Sequence, residues 1–173
     1  MATKAVELAQ ECKRRSESCL YTSTTLYIYL RCLRWLKIVS IVVPLVLGAL
    51  ASWKLLTTAN LGEIKIFTAV CAFIAGLTPS IYSALKFDDH LEECKHLAGE
   101  FKNLQDLFRQ AARVSSKKSF PEFEADTKPL IERMDTARSA SLTPPEWLFR
   151  RAQKKIKSGD YDFDIDEKEI DRT

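Results

Sequence analysis

Two stretches of this chain carry no charge: residues 38–53, IVSIVVPLVLGALASW, and residues 66–85, IFTAVCAFIAGLTPSIYSAL. Few folds accommodate such a pair, because a helix that is apolar all round must be buried in protein or in lipid. At ~1.5 Å per residue the first run spans roughly 24 Å, short of the ~30 Å of hydrocarbon in a bilayer. Its flanks make up the difference. Leu36 precedes it and Leu55 and Leu56 follow, while Trp35 and Trp53 lie about 27 Å apart along a helix, near the spacing of two interfacial aromatic belts. Lys37 and Lys54 can extend their stems and place their ammonium groups at the headgroups. The second run is long enough by itself. Joined by TTANLGE, the two predict a transmembrane helical hairpin over residues 37–86. The competing expectation, a buried hairpin in a soluble helical bundle, asks a small chain to cover two helices on every side.

Charge sets the orientation. Arg31, Arg34, Lys37, Lys86, Lys95 and Lys102 flank the spans on the terminal side, against Lys54 and Lys65 in the connecting loop. The positive-inside tendency then places both termini of a multi-pass membrane protein in the cytoplasm. The formal net charge of +3 is too small to point to nucleic acid as a partner. Membrane lipid is the expected partner. Five cysteines (Cys12, Cys19, Cys32, Cys71, Cys94) are odd in number and form no CxxC pair, so neither a disulfide framework nor a zinc ribbon is indicated.

Within the spans no carboxylate, histidine or arginine lies at depth, which removes the groups that proton relays and voltage sensors need. Small residues recur instead. Ser40, Pro44, Gly48 and Ser52 follow each other at intervals of four, as do Ala72, Gly76, Ser80 and Ala84. Such ridges let helix backbones approach closely. One reading is packing inside a single hairpin. The sharper reading is a homo-oligomer held through Gly48, Ser52, Ala72, Gly76 and Ser80, with Ser40, Thr68 and Ser83 as candidate pore lining. Pro44 and Pro79 each remove a backbone hydrogen bond and are hinge candidates.

The remainder predicts helices throughout, an all-α chain. Residues 1–36 form an N-terminal cytoplasmic helical segment, with a weak point expected at the hydroxyl run Thr22–Thr25. Residues 87–173 form a cytoplasmic helical region ending in an acidic tail. There, Leu91, Cys94, Leu97, Ala98, Phe101, Leu104, Phe108 and Ala111 repeat at three and four, an amphipathic helix continuing straight from the second span. SSKKS breaks it. Ser119-Phe-Pro-Glu122 predicts a capped helix start, with Leu130, Ile131, Met134 and Ala137 as its apolar positions and a kink at Pro129. Thr143-Pro-Pro-Glu146 predicts a second cap, before WLFRRAQKKIK, which Gly159 closes. Trp147, Leu148, Ala152 and Ile156 make a narrow apolar face there, with Trp147 as the expected anchor onto the cytoplasmic bundle. The alternative is a helix lying on anionic headgroups.

The run DYDFDID, residues 160–166, lacks the turn glycine and closing glutamate of a calcium loop, and an acidic tail neutralising the basic helix accounts for it better. His90 and Cys94 stand four apart, but no second ligand pair follows. No P-loop, nucleophile elbow, HExxH or GxGxxG occurs. No catalytic, metal-ligating or cofactor-binding residue is expected, and none of the familiar enzyme classes.

Three segments, CLYTSTTLYIYLRCLRWLKI, AGLTPSIYSALKFDDHLEECKHLAGEFKNLQ and TPPEWLFRRAQKKIKSGDYDF, together resemble the SLATT family of two-transmembrane effectors, over roughly Cys12 to Asp166. The resemblance implies an effector of prokaryotic antiphage conflict that oligomerises in the inner membrane and perforates it, causing cell death or growth arrest. It also implies a partner encoded nearby, a nucleotide-second-messenger synthase or a nucleotide sensor. The other class of function the residues allow is a non-conducting membrane scaffold, recruiting a partner through its cytoplasmic helices.

Overall fold

The computed structural model describes residues 2–57, 61–140 and 142–159. The acidic tail and the tip of the link between the two apolar runs lie outside them. Among the described residues every regular element is helical: α1 (Ala2–Thr57), α2 (Leu61–Ala84), α3 (Phe87–Arg113), α4 (Phe120–Ser139) and α5 (Glu146–Lys157), with a short 3₁₀ turn at Ser115–Lys117. The chain divides into two compact units, one made of Met1–Tyr29 with Cys94–Thr173, the other of Leu30–Glu93.

The first unit is a bundle with an apolar interior. From α1 come Cys12, Cys19 and Leu26, seven residues apart and therefore nearly aligned on one face. α3 supplies Cys94, Leu97, Ala98, Phe101, Leu104, Phe108 and Ala111, all buried, and so realises the three-and-four spacing of its sequence. Phe123, Thr127, Met134 and Ala137 come from α4, and Leu148 and Ala152 from α5. Leu130 and Ile131 are half-buried. Arg133 on α4 makes a two-pronged contact with Glu100 on α3, its Nε and Nη2 both donating to Oε1.

Several local expectations change. The hydroxyl run does not interrupt α1, because each side chain finds an acceptor within its own helix: Thr22 Oγ1 donates to Ser18 O, Ser23 Oγ to Leu20 O and Thr25 Oγ1 to Tyr21 O. Pro129 does not restart α4, which runs from Phe120 to Ser139 as one helix. Ser119 does occupy the N-cap position of α4, with extended backbone, yet its side chain makes no capping bond. At α5 the N-cap is Pro145, two residues beyond Thr143. Two successive prolines hold the residues before them extended and delay the helix to Glu146. Gly159, at φ 84°, then ends α5 in the left-handed region.

The amphipathic helix also does not continue straight from the second apolar run. α2 stops at Ala84 and α3 begins at Phe87. Between them Lys86 takes φ 45°, rare for a residue with a side chain, and its N–H turns back to Ser83 O.

Candidate functional site

The unit Leu30–Glu93 holds the features on which any function of the apolar runs depends. Most of its large apolar side chains face outward. Trp35, Ile38, Ile41, Leu45, Val46, Trp53, Ile66, Phe73 and Ile81 are all exposed, and within the most apolar stretch of α1 only 6% of residues are buried. A soluble core helix shows the reverse. Among the described residues α1 alone is long and apolar enough to cross a membrane. α2 meets that test only together with α3, across the break at Leu85–Lys86.

The covered positions of α1 in this unit are Leu30, Leu33, Lys37, Ser40, Pro44, Leu47 and Ala51, alternating at three and four, with Cys32 half-covered beside them; among the described residues those of α2 are Thr68, Cys71, Ala75, Thr78 and Tyr82, with the same alternation. That is the seam spacing of coiled-coil helices. It differs from a strict four-residue repeat, which drifts about 40° around the helix at every step. Ser40 and Pro44 accordingly lie on the covered side, while Gly48 and Ser52 have rotated out and are exposed. On α2, Ala72, Gly76, Ser80 and Ala84 are all exposed, as is Ser83. A methyl group added at Gly48 or at Gly76 would meet nothing within 4 Å. The second ridge, and the Gly48–Ser52 half of the first, therefore point away from the seam.

Most hydroxyls of the unit are occupied by their own helix. Ser40 Oγ donates to Leu36 O at 2.8 Å, Ser52 Oγ to Gly48 O at 2.9 Å, Thr78 Oγ1 to Ile74 O at 2.7 Å and Ser80 Oγ to Gly76 O at 3.4 Å. Thr68 differs: its Oγ1 is buried and has no hydrogen-bond partner among the described residues. The hinge candidates Pro44 and Pro79 lie inside continuous helices.

At one end of the unit three side chains meet that the sequence did not single out as a group. Lys37 Nζ donates to Asp88 Oδ1 at 2.6 Å, and Tyr82 Oη donates to the same oxygen at 2.7 Å. Tyr82 also lies against Phe87, ring centroids 5.2 Å apart. Lys37, expected to reach for headgroups, is instead tied to the first turn of α3. The available signal was positional: if the two apolar runs fold back on each other, the residues before the first and after the second must share an end.

In the bundle unit, Trp147 is 54% exposed, and its neighbour Leu148 is the residue that anchors α5, fully buried with Ala152. Adjacent residues on a helix point about 100° apart, so only one of the two can face the interior. Phe149 adds a ring contact to Tyr21 on α1, centroids 6.3 Å apart. All five cysteines are free thiols. Cys19 Sγ lies 3.7 Å from Met134 Sδ, and burial pushes its thiol up to about 11. Cys94 Sγ donates to Leu26 O. His90 lies 3.7 Å from Glu93, and no group of His, Cys, Asp or Glu suited to a metal ion occurs among the described residues.

An all-helical chain with one outward-facing apolar unit defines a broad class, helical proteins with a candidate membrane segment. More narrowly, the chain belongs to the family described as Mobilome CxxCx(11)CxxC protein, whose model it matches over residues 10–146. It departs from the pattern in that description, since none of its cysteines stands in a CxxC pair. No curated protein and no solved structure matches the chain.

Proposed function

We propose that this chain is a non-enzymatic membrane effector carried by a mobile element. Its two apolar helices cross the cytoplasmic membrane as a hairpin with both termini inside, and protomers assemble through the outward ridges at Gly48, Ser52, Ala72, Gly76 and Ser80 to open or disrupt the bilayer. One observation carries the reading: in the unit Leu30–Glu93 most large apolar side chains, together with the small residues Gly48, Ser52, Ala72, Gly76 and Ser80, face outward, with open space over Gly48 and Gly76. Lipid satisfies the first and a second protomer the second. The likeness to SLATT effectors supports the same reading, and a mobile-element family is compatible with a role in antiphage conflict, triggered by a nucleotide-signalling partner.

The hydroxyls bonded within their own helices favour a second reading, a non-conducting scaffold that recruits a partner through its cytoplasmic helices, because they leave little free polarity to line a pore. Gly48→Leu and Gly76→Leu separate the two. Both variants should still insert, since leucine favours insertion by about 0.3–0.6 kcal/mol. Cross-linked oligomers and depolarisation of expressing cells should fall together. A wild-type oligomer that never depolarises cells, with its genomic neighbours co-expressed, would leave the scaffold.

A further inference from the structure

The face of α5 that the bundle leaves uncovered is chemically unlike the rest of that unit's surface. Leu148 and Ala152 face the interior, and Trp147, Arg151, Lys154 and Lys157 fall on the other side within an arc of about 120°. All four are exposed, and the three cations have no carboxylate partner among the described residues. Arg150, beside them, is held by Glu146 at 2.7 Å. A shallow open depression lined by Arg150, Gln153, Lys154, Lys157 and Ser158 runs along this face.

We infer that this face is a docking surface for anionic lipid headgroups, so that α5 is held by the bundle on one side and by the membrane on the other. The proposal rests on the membrane reading above. A large exposed indole at the N-terminal end of a row of cations unpaired among the described residues is costly to leave in water and suits the headgroup layer, where its apolar body and its N–H are both satisfied. The cations are attracted to the negative potential of a leaflet containing acidic lipid. Attachment to a membrane segment would keep the face at high local concentration near that leaflet, so a few charges suffice. Nucleic acid fits less well, because three cations and one aromatic make a short footprint for a phosphate backbone.

The test uses the full chain with Trp35→Phe and Trp53→Phe, leaving Trp147 as the sole tryptophan, in nanodiscs of phosphatidylcholine alone or mixed with phosphatidylglycerol. In the mixed discs Trp147 emission should shift to the blue and be quenched by lipids brominated near the headgroup. Added salt should reverse both effects. Lys154→Gln should shift the balance toward the free state by about fivefold, and Arg151→Gln with Lys157→Gln should remove the lipid dependence. The melt of the bundle should not move in any of these variants. Equal emission in both lipids would overturn the proposal. So would emission already blue-shifted in phosphatidylcholine and released by deleting residues 160–173, which would assign the face to the chain's own acidic tail. Retention of the chain in carbonate-washed membranes tests the membrane reading separately, so failure of one is distinguishable from failure of the other.

Discussion

In the bundle unit Phe101, Phe108 and Phe123 are withdrawn from solvent and the charged side chains stand outside. In the unit Leu30–Glu93, Trp35, Leu45, Ile66 and Phe73 stand outside, and the covered seam holds Ser40, Thr68, Cys71 and Thr78. The two units thus differ in where their largest apolar side chains stand. Water drives the first arrangement, since every buried phenylalanine removes apolar surface from it. Water cannot stabilise the second. An apolar face of that extent, turned outward on a small protein, marks a surface for contact with a membrane or with another protein.

The comparison breaks most easily in the bundle. Phe108→Ala removes a fully buried ring from α3 and should cost about 3–5 kcal/mol, read as a lower melting temperature in detergent, with the chain still in the membrane fraction. Loss from the membrane would mean that the two units do not answer to separate forces. On α5, Leu148→Ala should cost about 2–5 kcal/mol, whereas Trp147→Ala should stay within about 0.5 kcal/mol. The reverse order would place Trp147 in the interior after all.

The apolar unit is tested by a charge. Leu45 is 68% exposed near the middle of the first apolar run, and Leu45→Arg should oppose insertion by about 2.5–3.5 kcal/mol. Val114, similarly exposed but in the bundle unit, supplies the control, because Val114→Arg should change stability by no more than about 0.5 kcal/mol. If both substitutions were equally tolerated, the outward apolar face would not be in lipid.

The smallest effect is electrostatic. Lys118, at 2.7 Å, and Ser115, at 2.9 Å, both donate to Asp126 Oδ2, and hydrogen bonding to Lys118 first, then to Ser115, holds this carboxyl below its ordinary value. A depressed carboxylate stabilises the fold above its unfolded pKa and loses that contribution as pH falls through the folded one. Acidification from neutral pH through and below the ordinary aspartate range should therefore lower the melt slightly, and Asp126→Asn should reduce that acid sensitivity. Because the pair is exposed, added salt should shrink the difference.

How much of this was legible in the sequence depended on contrast. On α3 charged and apolar residues alternate sharply, and all the apolar positions read from the spacing are covered, Leu91 only in part. The uncharged runs were equally plain, although nothing in their order fixed which side of each helix would be covered. A four-residue repeat of small side chains looked like one straight ridge, but helical drift carries Ser40 and Ser52 to different sides. α5 failed at the scale of one residue: Trp147 and Leu148 are neighbours of similar hydrophobicity, and only the packed bundle selects between them. The meeting of Lys37, Tyr82 and Asp88 was hidden for another reason, since it depends on where a distant segment returns.

The five thiols, unremarked by any chemistry of their own, amount to a set of internal clocks. Cys12, Cys19 and Cys94 are sealed in the bundle and Cys71 in the seam, while Cys32 is only half-covered. A thiol reagent added to the folded protein should mark Cys32 first and reach each other cysteine only when its own surroundings open. Mass spectrometry of labelled peptides over time would then give separate opening rates for the bundle and for the apolar seam, in a living cell and without altering a single residue.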